Sequence, residues 1–216
     1  MATLLFDAQG KPTTPASGSA YFYPDNTKKA WTGLDDAGRI TTLQSGIVTN
    51  CNTGTVSPGS ANFYITGSSL ALGASTLQVG TTMEWVFGIT KSTAGTGTPV
   101  FTIVFGTAGT TADTARVTFT HSTADTGVAD RCVVRINAVM RAVGASGVCA
   151  GIYEKNHIIV GATGFSTPAS TQVEQLSTVS STFDTTTASM IVGVCVNAGT
   201  AGAWSIETVQ SKMFGV

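Results

Sequence analysis

The feature that most constrains this chain is a two-residue rhythm of apolar side chains that recurs in short runs. Between Thr81 and Lys91 the positions Met83, Trp85, Phe87 and Ile89 are apolar while Glu84 and Thr90 are polar, the alternation of a strand with one buried face. Phe101, Ile103 and Phe105 repeat it, and Val117, Phe119 and His121 alternate with Arg116, Thr118 and Thr120. No window long enough for an amphipathic helix carries apolar residues at helical spacing. The chain is therefore expected to be all-β.

The runs are separated by turn chemistry. Residues 131–143 and 148–160 flank Gly144-Ala145-Ser146-Gly147 and read as a long hairpin, because glycine tolerates the positive φ of tight turns. A stretch rich in Ser, Thr and Pro, residues 161–183, reads as a loop, and 186–197 and 203–214 read as closing strands around the Gly199–Gly202 turn. About eight strands between Asn62 and Val216 are enough for a two-sheet antiparallel, jelly-roll-like sandwich. Ahead of it, residues 19–24, 28–32 and 39–43 are three short strand candidates. Such a meander has too few apolar side chains to stand alone and is expected to dock on something else. The expected organisation is an attachment meander over 1–45, a Gly/Ser/Thr-rich linker over 46–61, and a sandwich over 62–216 that also mediates oligomerisation.

Composition narrows the function. Only 11% of residues are charged and 42% are hydrophobic, against roughly 25% charged in ordinary soluble domains, yet no apolar run approaches the roughly 18 residues of a membrane span. The net charge is -1 and the basic residues are scattered singly apart from Lys28-Lys29, so neither nucleic acid nor membrane is an expected partner. The first residues lack a basic region followed by an apolar stretch, so no signal peptide is expected and synthesis is placed in a cytoplasm. Cys51, Cys132, Cys149 and Cys195 lie far apart, three of them in apolar runs where a free thiol acts as a small hydrophobe; a Cys132–Cys149 disulfide is the alternative if those strands pair.

Self-association is expected from the strand at 131–143. Cys132, Val134, Ile136, Ala138 and Met140 populate one face, but Val133, Val139 and Val143 populate the other, and a strand apolar on both faces is normally covered on both. Burying each such side chain stabilises by roughly 1.5–3 kcal/mol, so Val133, Val139 and Val143 are the candidate oligomer interface.

No catalytic, cofactor-binding or metal-binding set assembles from the motifs. His121 and His157 are each isolated in sequence, with no His-Glu-x-x-His, paired-Cys or calcium-loop pattern. Gly106-Thr107-Ala108-Gly109-Thr110 lacks the Lys and following helix of a phosphate loop and reads as a hairpin turn. No Gly-x-Ser-x-Gly elbow occurs. Asp113, Asp125 and Asp130 offer the residue types for a cation or a glycosidase pair, but acids beside Thr and Gly typically cap turns. Tyr21, Phe22, Tyr23 and Trp31 can serve attachment or carbohydrate stacking, or simply pack.

Pro15-Ala16-Ser17-Gly18-Ser19-Ala20-Tyr21-Phe22-Tyr23, then Trp31, then Asp35-Asp36-Ala37-Gly38-Arg39-Ile40-Thr41-Thr42-Leu43 resemble a small module that opens many tailed-bacteriophage structural proteins. Tyr64–Ser68, Val79–Thr82, Thr90–Gly95 and Gly164–Thr167 resemble the body of the same class. The resemblance implies a non-enzymatic virion protein: a homotrimeric jelly roll with an attachment segment, bound to the major capsid protein or another virion protein at the virion surface, as capsid decoration, cement or head fibre. The alternative within it is a short tail fibre or receptor-binding module that recognises a host surface glycan. No cofactor is implied.

Overall fold

The computed structural model describes residues 17, 20–25, 30–35, 40–42, 47–72, 77–121, 124–157, 164–165, 173–200 and 203–215, with side chains at Ser17 and from Val48 onward. The chain divides into two compact units, Met1–Ile47 and Val48–Val216. In the first, β1 (Ala20–Asp25), β2 (Ala30–Asp35) and β3 (Ile40–Thr42) form an antiparallel sheet in the order β1-β2-β3, which is the expected meander. The side chains of Tyr21, Phe22, Tyr23 and Trp31 lie outside the described ones.

The second unit is a two-sheet sandwich. Its strands are β4 (Ile47–Asn52), the short β5 (Phe63–Tyr64) and β6 (Leu70–Ala71), β7 (Thr82–Lys91), β8 (Val100–Gly106), β9 (Thr114–Thr120), β10 (Asp130–Ala142), β11 (Val148–His157), β12 (Val173–Val179), β13 (Ile191–Asn197) and β14 (Trp204–Phe214). One sheet runs β12-β11-β10-β7-β14-β4; the other runs β5-β13-β8-β9, with β6 also pairing β13. Since β5 and β6 meet opposite ends of β13, they act as one interrupted strand. The sheets then contain β4-β14-β7-β10 and (β5,β6)-β13-β8-β9, the strand order of a jelly roll. Beyond β10 the first sheet is extended by β11 and β12 before the chain crosses to β13.

The structure departs from two of the sequence expectations. The stretch taken as linker, 46–61, contains β4, which opens the roll, and Val56 bridges to Ile206. The loop taken over 161–183 contains β12, an edge strand paired along its length with β11. The Gly144 turn is as expected, with φ of 98°. Gly147 is glycine for space, since a Cβ there would meet Thr185 Cγ2 at 2.3 Å.

The core lies between the sheets because alternation sends one side of each strand inward: Met83, Trp85, Phe87 and Ile89 from β7, and Cys132, Val134, Ile136, Ala138 and Met140 from β10 are all buried. Phe101 of β8 joins the layers, with ring centroids 6.2 Å from Phe87, 5.3 Å from Tyr153 and 6.0 Å from Trp204. The Trp85 indole N–H donates to the Ser68 carbonyl at 2.8 Å, so this aromatic ring is buried without an orphaned donor.

Candidate functional sites: an uncovered sheet face and a buried ionic end

The face of the six-stranded sheet turned away from the core is uncovered within the described residues of this unit, and the register lays its side chains out in rows. Val179, Ala150, Val139, Thr82 and Phe214 form one row, and Ser177, Ile152, Asn137, Glu84 and Lys212 the next. A third holds Gln175, Glu154, Arg135, Val86 and Gln210. The first rows line a shallow hollow of about 400 Å³, walled by Val139, Ala150, Ile152 and Phe214. Ile152 is 54% exposed and Val179 49%.

Of the residues expected at an interface, Val139 lies in this hollow and Val143 is exposed just past the bulge at the end of β10. Val133 stands apart, opposite Asn156 and Gly88, six positions from Val139 or roughly 20 Å along the strand. Ile152, Val179 and Phe214 were not singled out in the sequence, although each has the strand parity of Val139 once the register is known. Beside the apolar rows sits a mixed-charge band in which Arg135 faces Glu154 and Glu84 faces Lys212 across neighbouring strands, the arrangement that favours opposite-charge pairs.

At the other extreme of exposure, charge is sealed inside the sandwich. Lys91, the last residue of β7, is 1% exposed; its ammonium donates to the carbonyls of Ser92 at 3.1 Å, Gly95 at 2.7 Å, Thr126 at 2.6 Å and Val128 at 3.0 Å. The cage ties the turn after β7 to the segment before β10. Asp130 of β10 accepts from the amides of Gly164 at 3.0 Å and Phe165 at 3.3 Å, and its Oδ2 lies 3.7 Å from His157 Nδ1, with both side chains at 0% exposure. A second group brings together Lys155 of β11, Glu174 of β12 and His121 just after β9. Lys155 Nζ lies 2.9 Å from Glu174 Oε2 and 3.4 Å from His121 Nδ1. His121 Nε2 meets the Tyr153 hydroxyl at 2.5 Å. Burial, reinforced by the Lys155 charge, pushes the His121 imidazole down to about 3, so it is neutral, and burial raises the Tyr153 phenol well above its ordinary range.

Of the candidate acids, Asp125 and Asp130 come together, their charges both acting on Lys91 and Cys132, and Asp113 serves a turn. Asp113 accepts from the amides of Ala108, Gly109 and Thr110, capping the β8–β9 turn as acids there are expected to do; Asp130 serves the Gly164 segment. Among the described residues no three His, Cys, Asp or Glu groups lie where they can hold a metal ion. All four cysteines are free, and three are buried. The alternative Cys132–Cys149 disulfide is overturned by register: Cys132 faces His157 and Cys149 faces Met140, roughly 26 Å apart along the hairpin, far beyond the roughly 7 Å Cα limit for a bridge.

No protein-family model matches the chain, and no curated protein matches it in sequence. A solved structure of infectious bursal disease virus, Gx strain, aligns over 85% of this chain and 47% of that chain, at 12% identity and a TM-score of 0.21. This chain thus spans about half the length of that one. At such a score the alignment decides neither fold nor function.

Proposed function

We propose that the protein is a structural component of a tailed-phage virion, a homotrimeric capsid decoration, cement or head-fibre protein. Its N-terminal segment attaches to the major capsid protein or another virion protein, and its jelly roll associates with further copies at the virion surface. The observation that carries the reading is the uncovered outer face of the six-stranded sheet, where Val139, Ala150, Ile152, Val179 and Phe214 adjoin a band of both charge signs. Apolar burial supplies the affinity of such a face, and the paired charges supply its register. Jelly rolls serve viral capsid and lectin domains. Because a fold hosts many functions, the absence of accessible chemistry among the described groups matters as well: the ionic clusters are sealed from any substrate. The subunit number and the phage assignment come from the resemblance of the N-terminal module and body segments.

The mechanism is added buried area. A protein that binds the assembled shell and not its disrupted parts stabilises the shell by mass action, and several attachment arms on one trimer act at raised effective concentration. The test has two parts. Light scattering on the eluting protein should give a trimer for the wild type and a monomer for Val139→Glu/Ile152→Lys, both positions lying on the open face; a double variant that remains trimeric removes the face from the interface. Immunogold labelling of particles of the source virus should decorate the head. Label confined to the tail transfers the protein to the host-glycan recognition class, and unlabelled particles overturn a surface role in the virion.

A further inference from the structure

The Lys155–Glu174 pair holds an amine against a carboxyl group in a buried site. The residues are direct cross-strand partners on β11 and β12, their nitrogen and oxygen lie 2.9 Å apart, and their side chains are 0% and 4% exposed. Around them stand the Phe165 ring, 6.0 Å from Nζ, and Tyr153, whose ring packs on Phe101 and Phe119. In such surroundings an ammonium and a carboxylate forgo hydration that their mutual attraction offsets only in part; condensation requires that one proton first cross the gap, leaving an amine beside a carboxylic acid. A third group suited to carrying protons is in place. With Nε2–H donating to the Tyr153 hydroxyl, the His121 Nδ1 lone pair faces Lys155 Nζ at 3.4 Å and lies 3.8 Å from Glu174 Oε2.

We infer that Lys155 and Glu174 condense to an intramolecular isopeptide bond, with His121 as the proton carrier. The neutral Nζ attacks Glu174 Cδ, forming the C–N bond. His121 Nδ1 passes the proton that the nitrogen sheds to the departing hydroxyl in one concerted relay, so that no buried imidazolium is left; the C–O bond breaks and one water leaves. Nothing is oxidised or reduced, and no co-reactant is consumed. Holding the two groups in contact replaces an encounter in solution with an intramolecular step, where effective concentrations on the order of 10⁵–10⁸ M are reached. The neutral amide also removes both buried charges. The product fastens β12, an edge strand of the sheet, covalently to β11 in a chain whose cysteines form no bridge. This inference does not depend on the virion assignment.

Intact mass spectrometry of the full chain in denaturant is the test, with Lys155→Arg as the reference because it keeps the charge and undergoes the same terminal processing. The wild type should be lighter by one water beyond the difference due to the substitution. Chymotrypsin, cutting after Tyr153, Phe165 and Leu176, should release a branched peptide joining 154–165 to 166–176. Wild-type protein at its unmodified mass, with trypsin cleaving after Lys155, overturns the inference, and that result needs no variant to fold. His121→Gln that folds, shown by a cooperative melt, should remain unlinked; linkage to the wild-type extent would overturn the role given to His121.

Discussion

Lys91→Met tests whether a caged ammonium holds one end of the sandwich together. The side chain stays unbranched and apolar but lacks the terminal nitrogen and its charge, so four carbonyl oxygens at 2.6, 2.7, 3.0 and 3.1 Å lose their donor. Hydrogen bonds to a charged group contribute about 1.5–3 kcal/mol each, but three donor hydrogens shared among four acceptors are not additive, and the variant escapes the cost of burying the ammonium. The charges of Asp125 and Asp130 also act on Lys91, and removing one side of a buried ionic arrangement typically costs about 3–5 kcal/mol. For a domain of this size about 2–4 °C is lost per kcal/mol, so the melting temperature should fall by about 6–20 °C. Lys91→Arg should also destabilise, because a planar fork cannot reproduce a compact point donor, and the cage is tight: a Cβ at Gly95 would stand 3.1 Å from Lys91 Cγ and Cδ. Calorimetry and urea titration of both variants, beside the exposed Lys212→Met as control, make the measurement. A loss below about 1 kcal/mol for Lys91→Met would refute the cage as a stabilising device and mean that water reaches the carbonyls.

Acid should weaken the fold through His121. Its ordinary value of 6.5 is depressed to about 3 by burial, so the unfolded chain binds a proton that the folded chain refuses; the stabilisation is complete above 6.5 and is lost as pH falls toward 3, at about 1.4 kcal/mol per pH unit for this one proton. Urea midpoints from pH 7 to 4 should show that slope, and His121→Gln should reduce it by one proton's worth. Thiol titration should find one reactive cysteine in the native protein, the exposed Cys51, and four after unfolding. Burial lifts Cys149 to about 12 and Cys195 to about 11, and raises Cys132 well above its usual range, and the thiolate is the reactive form. More than one fast-reacting thiol in native protein would contradict the packing of these strands.

The strands with a marked apolar pattern were legible: β7, β10 and β11 bury every second side chain, β9 does so at Val117 and Phe119, β8 and β13 are short runs apolar at both parities, and β14 changes parity at its bulge; burial rewards such patterns directly. The expected start of β13, near Thr186, fell five residues before Ile191, because Thr-rich sequence reads as extended whether or not it finds a partner. Edge strands were harder. β4, Ile-Val-Thr-Asn-Cys-Asn, has one neighbour and spends polar groups outside the ladder, as where Asn50 Nδ2 donates to the Ser69 carbonyl and hydroxyl. In β12 the pattern is reversed: Val173 and Val179 face out while Glu174 is buried. No hydrophobicity rule assigns a strand whose charged residue points inward.

That reversal also explains why the buried ionic end escaped notice. In β11 the inward parity runs Cys149, Gly151, Tyr153, Lys155, His157, so the sequence did carry a signal, a lysine and a histidine on the core side of a well-formed strand. Alone it conflicts with the cost of burying a charge. The conflict resolves only when Glu174 is set opposite Lys155, which requires recognising β12, and β12 is unrecognisable because Glu174 breaks its alternation. Each half of the pair hides the other. An inward-parity charge on an otherwise clean strand is thus a reason to search nearby loops for its counter-charge and to place a strand there; here that rule would have recovered β12 and the Lys155–Glu174 contact in one step.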